Sequence, residues 1–180
     1  MKWVEKAEPE RTEALSTLRH RCGLGAALEL LVQAQTHDVR VWFDPAVRTA
    51  IQSYLVGHAV EAGGLLLGSR VAVETPGAIV SIEKFVRGTD FDGTGVSLTL
   101  GTKVWDDARP QLDAGYVVVG WVHSHPNLGA FFSGTDRKTQ RAFFSKPWQL
   151  GLCVDPVRGQ SARFVGAESH SEGLIVVSLS

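Results

Sequence analysis

The sequence predicts a single α/β domain, of the α+β mixed-sheet kind, in which helices flank one central sheet. The run 116–122 is apolar on both faces, which is typical of a central strand covered from both sides. The segments 45–60 and 102–114 repeat apolar residues at every fourth position, which predicts two amphipathic helices. A third helix is predicted over 134–145, because Pro147 follows and ends it.

Composition and charge are those of an ordinary globular chain. Its 180 residues, 44% hydrophobic and 21% charged, are enough for one domain with a sizeable core. The net charge of −1 gives no global field toward nucleic acid or an anionic membrane, so we expect neither as a partner. No apolar stretch approaches the roughly 18 residues that cross a bilayer, and segment 1–6 is too polar for a secretion signal. The two cysteines, Cys22 and Cys153, are too few for a disulfide framework, so we expect a reducing, cytoplasmic compartment.

The N-terminal residues have no assigned role. Residues 24–35 place leucines and a valine at helical spacing, which predicts a short helix docked on the core. A partner-binding arm is the alternative for this segment. We therefore divide the chain into an N-terminal arm or helix, residues 1–38, and a main domain, residues 39–180.

The remaining strands are predicted from β-branched, aromatic or apolar runs bounded by turn signals. They cover 39–43, 63–68, 70–74, 78–86, 96–100, 148–155, 161–166 and 174–179. Asp44 and Pro45 supply an N-cap and a first helical residue after the first of these strands. Residues 88–95 are predicted to form a polar loop, and Pro110 is expected to kink or divide its helix. We expect the last strand to be paired or covered.

A candidate metal site lies where the central strand ends. His123 and His125 stand two residues apart, so on a strand their side chains point to one side of the sheet. Pro126 follows at once and fixes the point at which the chain leaves the strand. Asp136 can supply a third, anionic ligand. Two imidazoles and one carboxylate leave the fourth position of a zinc ion free, as in catalytic sites.

Ser133 and Asp136 also have a purely structural explanation. Ser-x-x-Asp at a helix start approximates a capping box, in which the serine oxygen accepts a hydrogen bond from a backbone N–H of the first turn. Capping does not exclude ligation, because the second oxygen of Asp136 can be committed elsewhere. Both explanations stay open at this point.

Glu61 has two explanations as well. It follows a predicted helix, where an exposed acid is common, but it precedes the uncharged run 62–68. A carboxylate at the edge of a buried strand needs a reason to be there. A water molecule activated by a metal needs a nearby base, and Glu61 would then be that base.

Together these residues resemble the signature of the JAMM/MPN+ zinc metalloprotease family. The pattern His-x-His-Pro-x6-Ser-x-x-Asp is filled by His123, His125, Pro126, Ser133 and Asp136. The upstream pattern Glu-x-x-Gly-x-Leu-x-Gly is filled by Glu61, Gly64, Leu66 and Gly68. The resemblance covers residues 39–166 and implies a JAMM/MPN-like (cytidine deaminase-like) single domain.

The resemblance implies a role for each of these residues. His123, His125 and Asp136 would hold one zinc ion per chain. Glu61 would act as the general base, and Ser133 would donate a hydrogen bond to the oxyanion. The wall of the groove that receives the substrate tail would include Gly64, Leu66 and Gly68.

The resemblance also implies a substrate class and partners. Members of the family cleave isopeptide or peptide bonds after the Gly-Gly terminus of ubiquitin-like proteins, so this chain would be a deubiquitinase-like isopeptidase. The segment 137–148 is short and cysteine-free, which resembles the prokaryotic JAB branch. Members of that branch process ubiquitin-like or sulfur-carrier proteins. Some occur with activating- and conjugating-type enzymes in antiphage defence, so such enzymes are expected partners.

Two other functions stay open. One is a non-catalytic MPN-type scaffold or binding module, which has no need to keep the complete set of catalytic and ligand residues. The other is a JAB-type protein acting elsewhere, in sulfur-carrier processing, in phage-tail peptidoglycan hydrolysis or as a RadC-like protein associated with DNA repair. The absence of an export signal and of a basic face counts against peptidoglycan and DNA.

Overall fold

The computed structural model of the chain describes residues 12–36, 38–89 and 101–171. Its strands are β1 (Thr12–Ala14), β2 (Arg40–Phe43), β3 (Gly63–Ala72), β4 (Ile79–Arg87), β5 (Val117–Ser124), β6 (Leu150–Asp155), β7 (Gln160–Val165) and β8 (His170–Ser171). Its helices are α1 (Leu15–Cys22), α2 (Leu24–Gln33), α3 (Pro45–Val56), α4 (Thr102–Asp113) and α5 (Gly134–Phe143).

The strands form one mixed sheet in the order β2-β4-β3-β5-β6-β7-β8, and β1 pairs with the second half of β3. The pairs β1·β3, β2·β4 and β5·β6 are parallel, and the other neighbours are antiparallel. β5 lies in the middle of this path, and all 8 of its residues are buried. The predicted mixed sheet with a central, covered strand is therefore confirmed.

Helices cover the sheet from both sides. The buried stripe of α3, on one face, consists of Val47, Ile51 and Leu55. α4 contributes Val104 and Ala108 to the core on the other face. Alternation along β5 points Val122 toward the α3 side and Trp121 toward the α4 side. His123 stacks on Trp121 and so lies on the face covered by α4 and α5.

β3 differs most from the sequence prediction. Separate strands were predicted over 63–68 and 70–74, but the structure has one strand, Gly63–Ala72. Its pairing with β4 shifts register between Leu67 and Gly68. A bulge inserts one extra residue and lets a strand continue through an irregular position, so the glycine does not break this strand.

Other predicted boundaries shift by a few residues. α3 ends at Val56 rather than at residue 60, and α5 ends at Phe143 rather than at residue 145. Asp44 accepts hydrogen bonds from two backbone N–H groups of the first turn of α3, which confirms the predicted N-cap. Pro110 was predicted to kink or divide its helix. α4 runs through it as one helix, so the proline does not divide it, and the kink stays a prediction.

Residues before the main domain join the sheet. β1 pairs in parallel with β3, and α2 (Leu24–Gln33) confirms the helix predicted over 24–35. The predicted docking stripe is mostly wrong, because Leu24, Leu28 and Val32 are exposed. Arg21 of α1 forms ion pairs with Glu13 of β1 and Glu83 of β4. The sequence predicts neither β1 nor its pairing, and the domain boundary at residue 38 stays a prediction.

Three predicted features lie wholly or mostly outside the described residues. They are the strands over 96–100 and 174–179 and the loop over 88–95, of which only the first two residues are described. Within the described ranges, no helix combines the length and the apolar character that crossing a membrane requires.

Candidate metal centre

The candidate metal centre is assembled from three parts of the chain. His123 is near the end of β5, and His125 directly follows the strand. Asp136 lies in the first turn of α5, and Glu61 lies in the segment that leads into β3. All four side chains are buried, with relative exposures of 0% for His123 and Asp136, 1% for Glu61 and 2% for His125. The structure thus brings together four residues that the sequence selects.

The ligand atoms of these side chains converge. The Nε2 atoms of His123 and His125 are 3.2 Å apart. Asp136 places Oδ1 at 3.4 Å from Nε2 of His123 and Oδ2 at 3.5 Å from Nε2 of His125. Ligands that bind a tetrahedral ion at about 2.0–2.1 Å stand roughly 3.3–3.4 Å from one another. The three side chains therefore have the spacing of ligands around one small ion.

Several polar atoms at this centre lack partners of their own. Among the described residues, no hydrogen bond reaches Oδ1 of Asp136 or either carboxylate oxygen of Glu61. Oε1 of Glu61 faces Nε2 of His125 at 3.5 Å, beyond hydrogen-bond length. Buried carboxylates are costly unless they are paired or coordinate a metal. The residues present therefore fit a divalent cation.

Burial and mutual contact shift the pKa values of all four groups. Burial lowers the pKa of His123, which keeps its ring neutral as metal ligation requires. Burial opposes the ionisation of Asp136, but the two histidine rings, at 3.4 and 3.5 Å from its oxygens, outweigh it and hold its pKa well below the usual range. Burial raises the pKa of Glu61, a shift that His125 opposes and Asp136 reinforces. Burial lowers the pKa of His125, but Asp136 and Glu61 raise it overall.

Aromatic rings fix the orientation of both histidines. The ring of His123 stacks on Trp121 with centroids 4.4 Å apart and planes 10° apart. Trp121 is itself held, because its Nε1–H donates a 2.7 Å hydrogen bond to Oε1 of the buried Gln140. The rings of His125 and Phe131 pack in a T-shaped arrangement, with their centroids 4.9 Å apart. The imidazoles are thus oriented before any ion binds.

Ser133 and Asp136 form the predicted capping box. Oγ of Ser133 accepts from the N–H of Asp136 at 3.2 Å, and Oδ2 of Asp136 accepts from the N–H of Ser133 at 2.6 Å. The capping explanation is therefore confirmed. Ligation by Asp136 stays a prediction, and Oδ1 of Asp136 still faces His123. Because Oγ of Ser133 is the acceptor in this box, its O–H keeps its capacity to donate.

Ser124 holds the segment that carries Glu61 against β5. Its Oγ accepts from the N–H of Ala62 at 3.1 Å, and its own N–H donates to the carbonyl of Ala62 at 2.8 Å. Sequence analysis did not select Ser124 as a site residue. The signal was its position between the two histidines, which turns its side chain to the opposite face.

The family model described as prokaryotic homologs of the JAB domain matches residues 44–164. This chain belongs to the prokaryotic JAB domain family. The 26S proteasome non-ATPase regulatory subunit 14 of Drosophila melanogaster is 31% identical over 139 residues, which cover 67% of this JAB chain and 44% of the relative. The ubiquitin carboxyl-terminal hydrolase RPN11 of Saccharomyces cerevisiae is 31% identical over 114 residues, which cover 61% and 36% of the two chains.

The JAB chain thus spans less than half the length of these curated relatives. Among solved structures, the solution structure of a protein from Desulfitobacterium hafniense is similar, with a TM-score of 0.49 and 21% sequence identity. That similarity covers 75% of this chain and 91% of the other.

Cys153 is a further neighbour of the JAB histidines. Its Sγ and the ligand atoms of His123 and His125 all lie within 4.8 Å of one another. The residue is buried, as predicted for a small hydrophobe, but the sequence did not reveal its place at the site. Burial raises the pKa of the Cys153 thiol well above its usual range, whereas Asp136 is ionised. A bound metal ion would itself favour the thiolate, so Asp136 as the third ligand stays a prediction.

Gly64, Leu66 and Gly68 have packing roles in the JAB sheet. Leu66 is fully buried in the core on the α3 side. A Cβ on Gly64 would meet the carbonyl oxygen of Val86 at 2.1 Å, and one on Gly68 would meet that of Ser81 at 1.8 Å. Both glycines let β4 approach β3 closely. The place of these three residues in a substrate-groove wall stays a prediction.

Proposed function

We propose that this JAB domain is a zinc-dependent peptidase or isopeptidase that cleaves after the C-terminal glycine of a ubiquitin-like protein. The observation that carries the proposal is the set of buried, converging ligand atoms of His123, His125 and Asp136, with the partnerless carboxylate of Glu61 beside it. A structural zinc site would close its fourth position with another protein ligand, whereas a catalytic site leaves that position open.

The ligand residues and the base have separate tasks. His123, His125 and Asp136 would hold one zinc ion. The bound ion supplies a Lewis acid for attack on a carbonyl group. Glu61 lies next to His125 and takes the proton of the attacking water, then delivers it to the leaving amine. Its raised pKa suits both transfers, because a general base works best with a pKa near the working pH.

Ser133 is the proposed donor to the oxyanion. Its backbone and Oγ are fixed by the capping box, and its O–H is directed by rotation about one bond. The half-buried side chain lies at the N-terminus of α5, whose backbone dipoles also favour negative charge. A fixed donor of this kind stabilises the tetrahedral intermediate without reorganising during the reaction.

The substrate class and the partners extend this proposal. Family membership and the similarity to the yeast ubiquitin carboxyl-terminal hydrolase RPN11 support a substrate that ends in glycine like ubiquitin. A cytoplasmic conjugation or antiphage defence pathway, with activating- and conjugating-type enzymes, is the setting we propose. The two free cysteines, Cys22 and Cys153, suit a reducing compartment.

A cleavage assay tests the proposal. Zinc-loaded protein is incubated with a panel of ubiquitin-like and sulfur-carrier proteins that carry a reporter at the C-terminus. We expect release of the reporter from at least one ubiquitin-like fusion, and a chelator should block it. Binding of these fusions without cleavage would contradict the proposal and favour a scaffold function. If only the sulfur-carrier fusions were cleaved, the substrates would be sulfur-carrier proteins and the proposed ubiquitin-like class would be wrong.

A further inference from the structure

Asp155, the last residue of β6, is fully buried beside the candidate metal centre. Its carboxylate accepts four backbone hydrogen bonds. Oδ1 accepts from the N–H groups of Asn127, Val157 and Arg158, each at 3.0 Å, and Oδ2 accepts from that of Gly129 at 2.7 Å. A buried carboxylate with four such donors is an ordered junction between chain segments.

The four donors belong to two different segments. Val157 and Arg158 lie in the turn that directly follows Asp155, where an aspartate commonly caps the backbone. Asn127 and Gly129 lie in the loop after His125, 28 and 26 residues away along the chain. The turn bonds are therefore local, whereas the loop bonds join distant parts of the domain.

The loop that donates hydrogen bonds to Asp155 also contacts His125. The N–H of His125 donates to the carbonyl of Val154 at 2.9 Å, so the loop starts against the end of β6. Phe131, at the other end of the loop, meets the His125 ring. Asn127 and Gly129 have φ values of 62° and 94°, in the left-handed region. Such conformations persist when surrounding bonds hold them, and these two residues are the ones that donate to Asp155.

We propose that Asp155 is a positioning residue of the metal centre, which holds the 127–131 loop so that His125 presents Nε2 to the ion. The inference rests on the proposed function, because it requires a metal at His123, His125 and Asp136. Asp155 itself contacts no ligand atom and no reacting atom. Residues that orient metal-binding histidines typically change metal affinity by about 10–100-fold when they are replaced.

The first test replaces Asp155 by an amide of the same size. In Asp155→Asn the NH2 group replaces one of the two accepting oxygens, and each oxygen accepts from one loop N–H, so the loop loses at least one of its two bonds. We expect zinc affinity to fall by about 10-fold or more. The affinity is measured by competition with a chromogenic chelator, and the visible spectrum of the Co²⁺ protein reports ligand geometry. Asp44→Asn is the matched control, because Asp44 also caps backbone N–H groups, but at the start of α3. It should leave affinity and spectrum unchanged.

A second pair of variants tests the same link even where Asp155→Asn does not fold. Gly129→Ala strains the loop side of the junction, and Gly159→Ala strains the turn side. The φ values are 94° for Gly129 and 63° for Gly159. An added Cβ would have its nearest neighbour at 3.6 Å at Gly129 and nothing within 4 Å at Gly159. Both changes therefore add backbone strain without a clash. We expect weaker zinc binding and an altered Co²⁺ spectrum for Gly129→Ala. Gly159→Ala should behave like the wild type in both measurements.

The outcomes separate this inference from the proposed function. Wild-type zinc affinity and an unchanged Co²⁺ spectrum in folded Asp155→Asn would overturn the role of Asp155, as would equal effects of the two glycine variants. A wild-type protein that binds no zinc would instead overturn the proposed function, and this inference with it.

Discussion

The ion-pair cluster around Arg21 and the candidate metal centre both contain carboxylates that are largely shielded from solvent. The two groups balance this negative charge in different ways. In the first cluster, Arg21 bridges Glu13 and Glu83, with Nη1 at 2.7 Å from Oε2 of Glu83. The hydroxyls of Ser69 and Ser81 donate to the other Glu83 oxygen at 2.9 and 3.2 Å. Each carboxylate there meets a guanidinium that is always charged.

The metal centre has no permanently charged partner of this kind, although Asp136 and Glu61 raise the pKa of His125 and so favour its charged form. Glu61 and Asp136 face only imidazoles, and no lysine or arginine among the described residues forms an ion pair with them. A buried carboxylate in this position is costly until a cation arrives. In the Arg21 cluster each carboxylate has a permanently charged partner within the fold, although Oε2 of Glu13 and Nε of Arg21 make no hydrogen bond. The carboxylates of the metal centre have only imidazole partners, which supports the proposed ion.

Removing a metal ligand should have the largest effect. His123→Ala and Asp136→Asn each delete one of three protein ligands, so we expect loss of bound zinc and of hydrolytic activity to background. Metal analysis of the purified proteins measures this. Glu83→Gln is the control from the other cluster and should keep its zinc. Full zinc occupancy in both ligand variants would remove these residues from the coordination shell.

Removing the base should have the next largest effect. Glu61→Gln keeps the shape of the side chain but cannot accept the proton, so we expect turnover to fall by about 10²–10⁴-fold. Zinc content should stay at the wild-type level, because Glu61 is not a ligand in this account. Near-normal turnover in the zinc-loaded variant would sink the proposed mechanism.

Ser133 should show a smaller loss that combines catalysis and capping. Ser133→Ala should lower turnover by about 10²–10³-fold and stability by about 1 kcal/mol. Asp44→Ala removes the cap of α3, which carries none of the site residues, and should lower stability without lowering turnover. Ser133→Thr keeps both the cap and the hydroxyl, so it should retain much of the activity. Equal turnover in Ser133→Ala and the wild type would assign the serine to capping alone.

The smallest effect concerns the stability of the metal-free protein and its pH dependence. Burial raises the pKa of Glu61 above its ordinary value of 4.5, so the folded state disfavours its ionised form. The resulting penalty is absent below pH 4.5 and develops as the pH rises through the raised pKa. Glu61→Gln removes it, so urea unfolding with chelator present should show a stability gain that grows with pH.

Glu83→Gln gives the opposite sign in the same experiment. It leaves Arg21 without one of its two carboxylate partners, so we expect a loss of about 1–3 kcal/mol in the free energy of unfolding. If metal-free Glu61→Gln were also destabilised at neutral pH, the two clusters would not differ in the way we describe.

Much of the fold follows from the sequence where periodic patterns are long. The eight-residue strand β5 and the stripe of α3 are apolar over enough positions for their period to be read. β1 has 3 residues, too few for a period, and its partner β3 is distant in the chain. The sequence left the role of Gly64 and Gly68 ambiguous, because glycine allows the close approach of a ligand and of a neighbouring strand equally well.

The candidate ligands and the candidate base could be selected from the sequence because they adjoin apolar runs and fill the positions of a family signature. Their neighbours could not. Cys153 reaches the site through the parallel register of β5 and β6, which places it opposite His123. Asp155 holds its loop by bonds across 26 and 28 residues. Such contacts depend on strand pairing, and no local pattern in the sequence encodes them.

A crystal structure of the zinc-loaded protein, with diffraction collected at the zinc absorption edge, tests the central claim most directly. We predict one anomalous peak per chain, within bonding distance of Nε2 of His123, Nε2 of His125 and a carboxylate oxygen of Asp136, with Glu61 outside that shell. A peak bound by Cys153 in place of Asp136, or no peak between the histidines, would contradict the account.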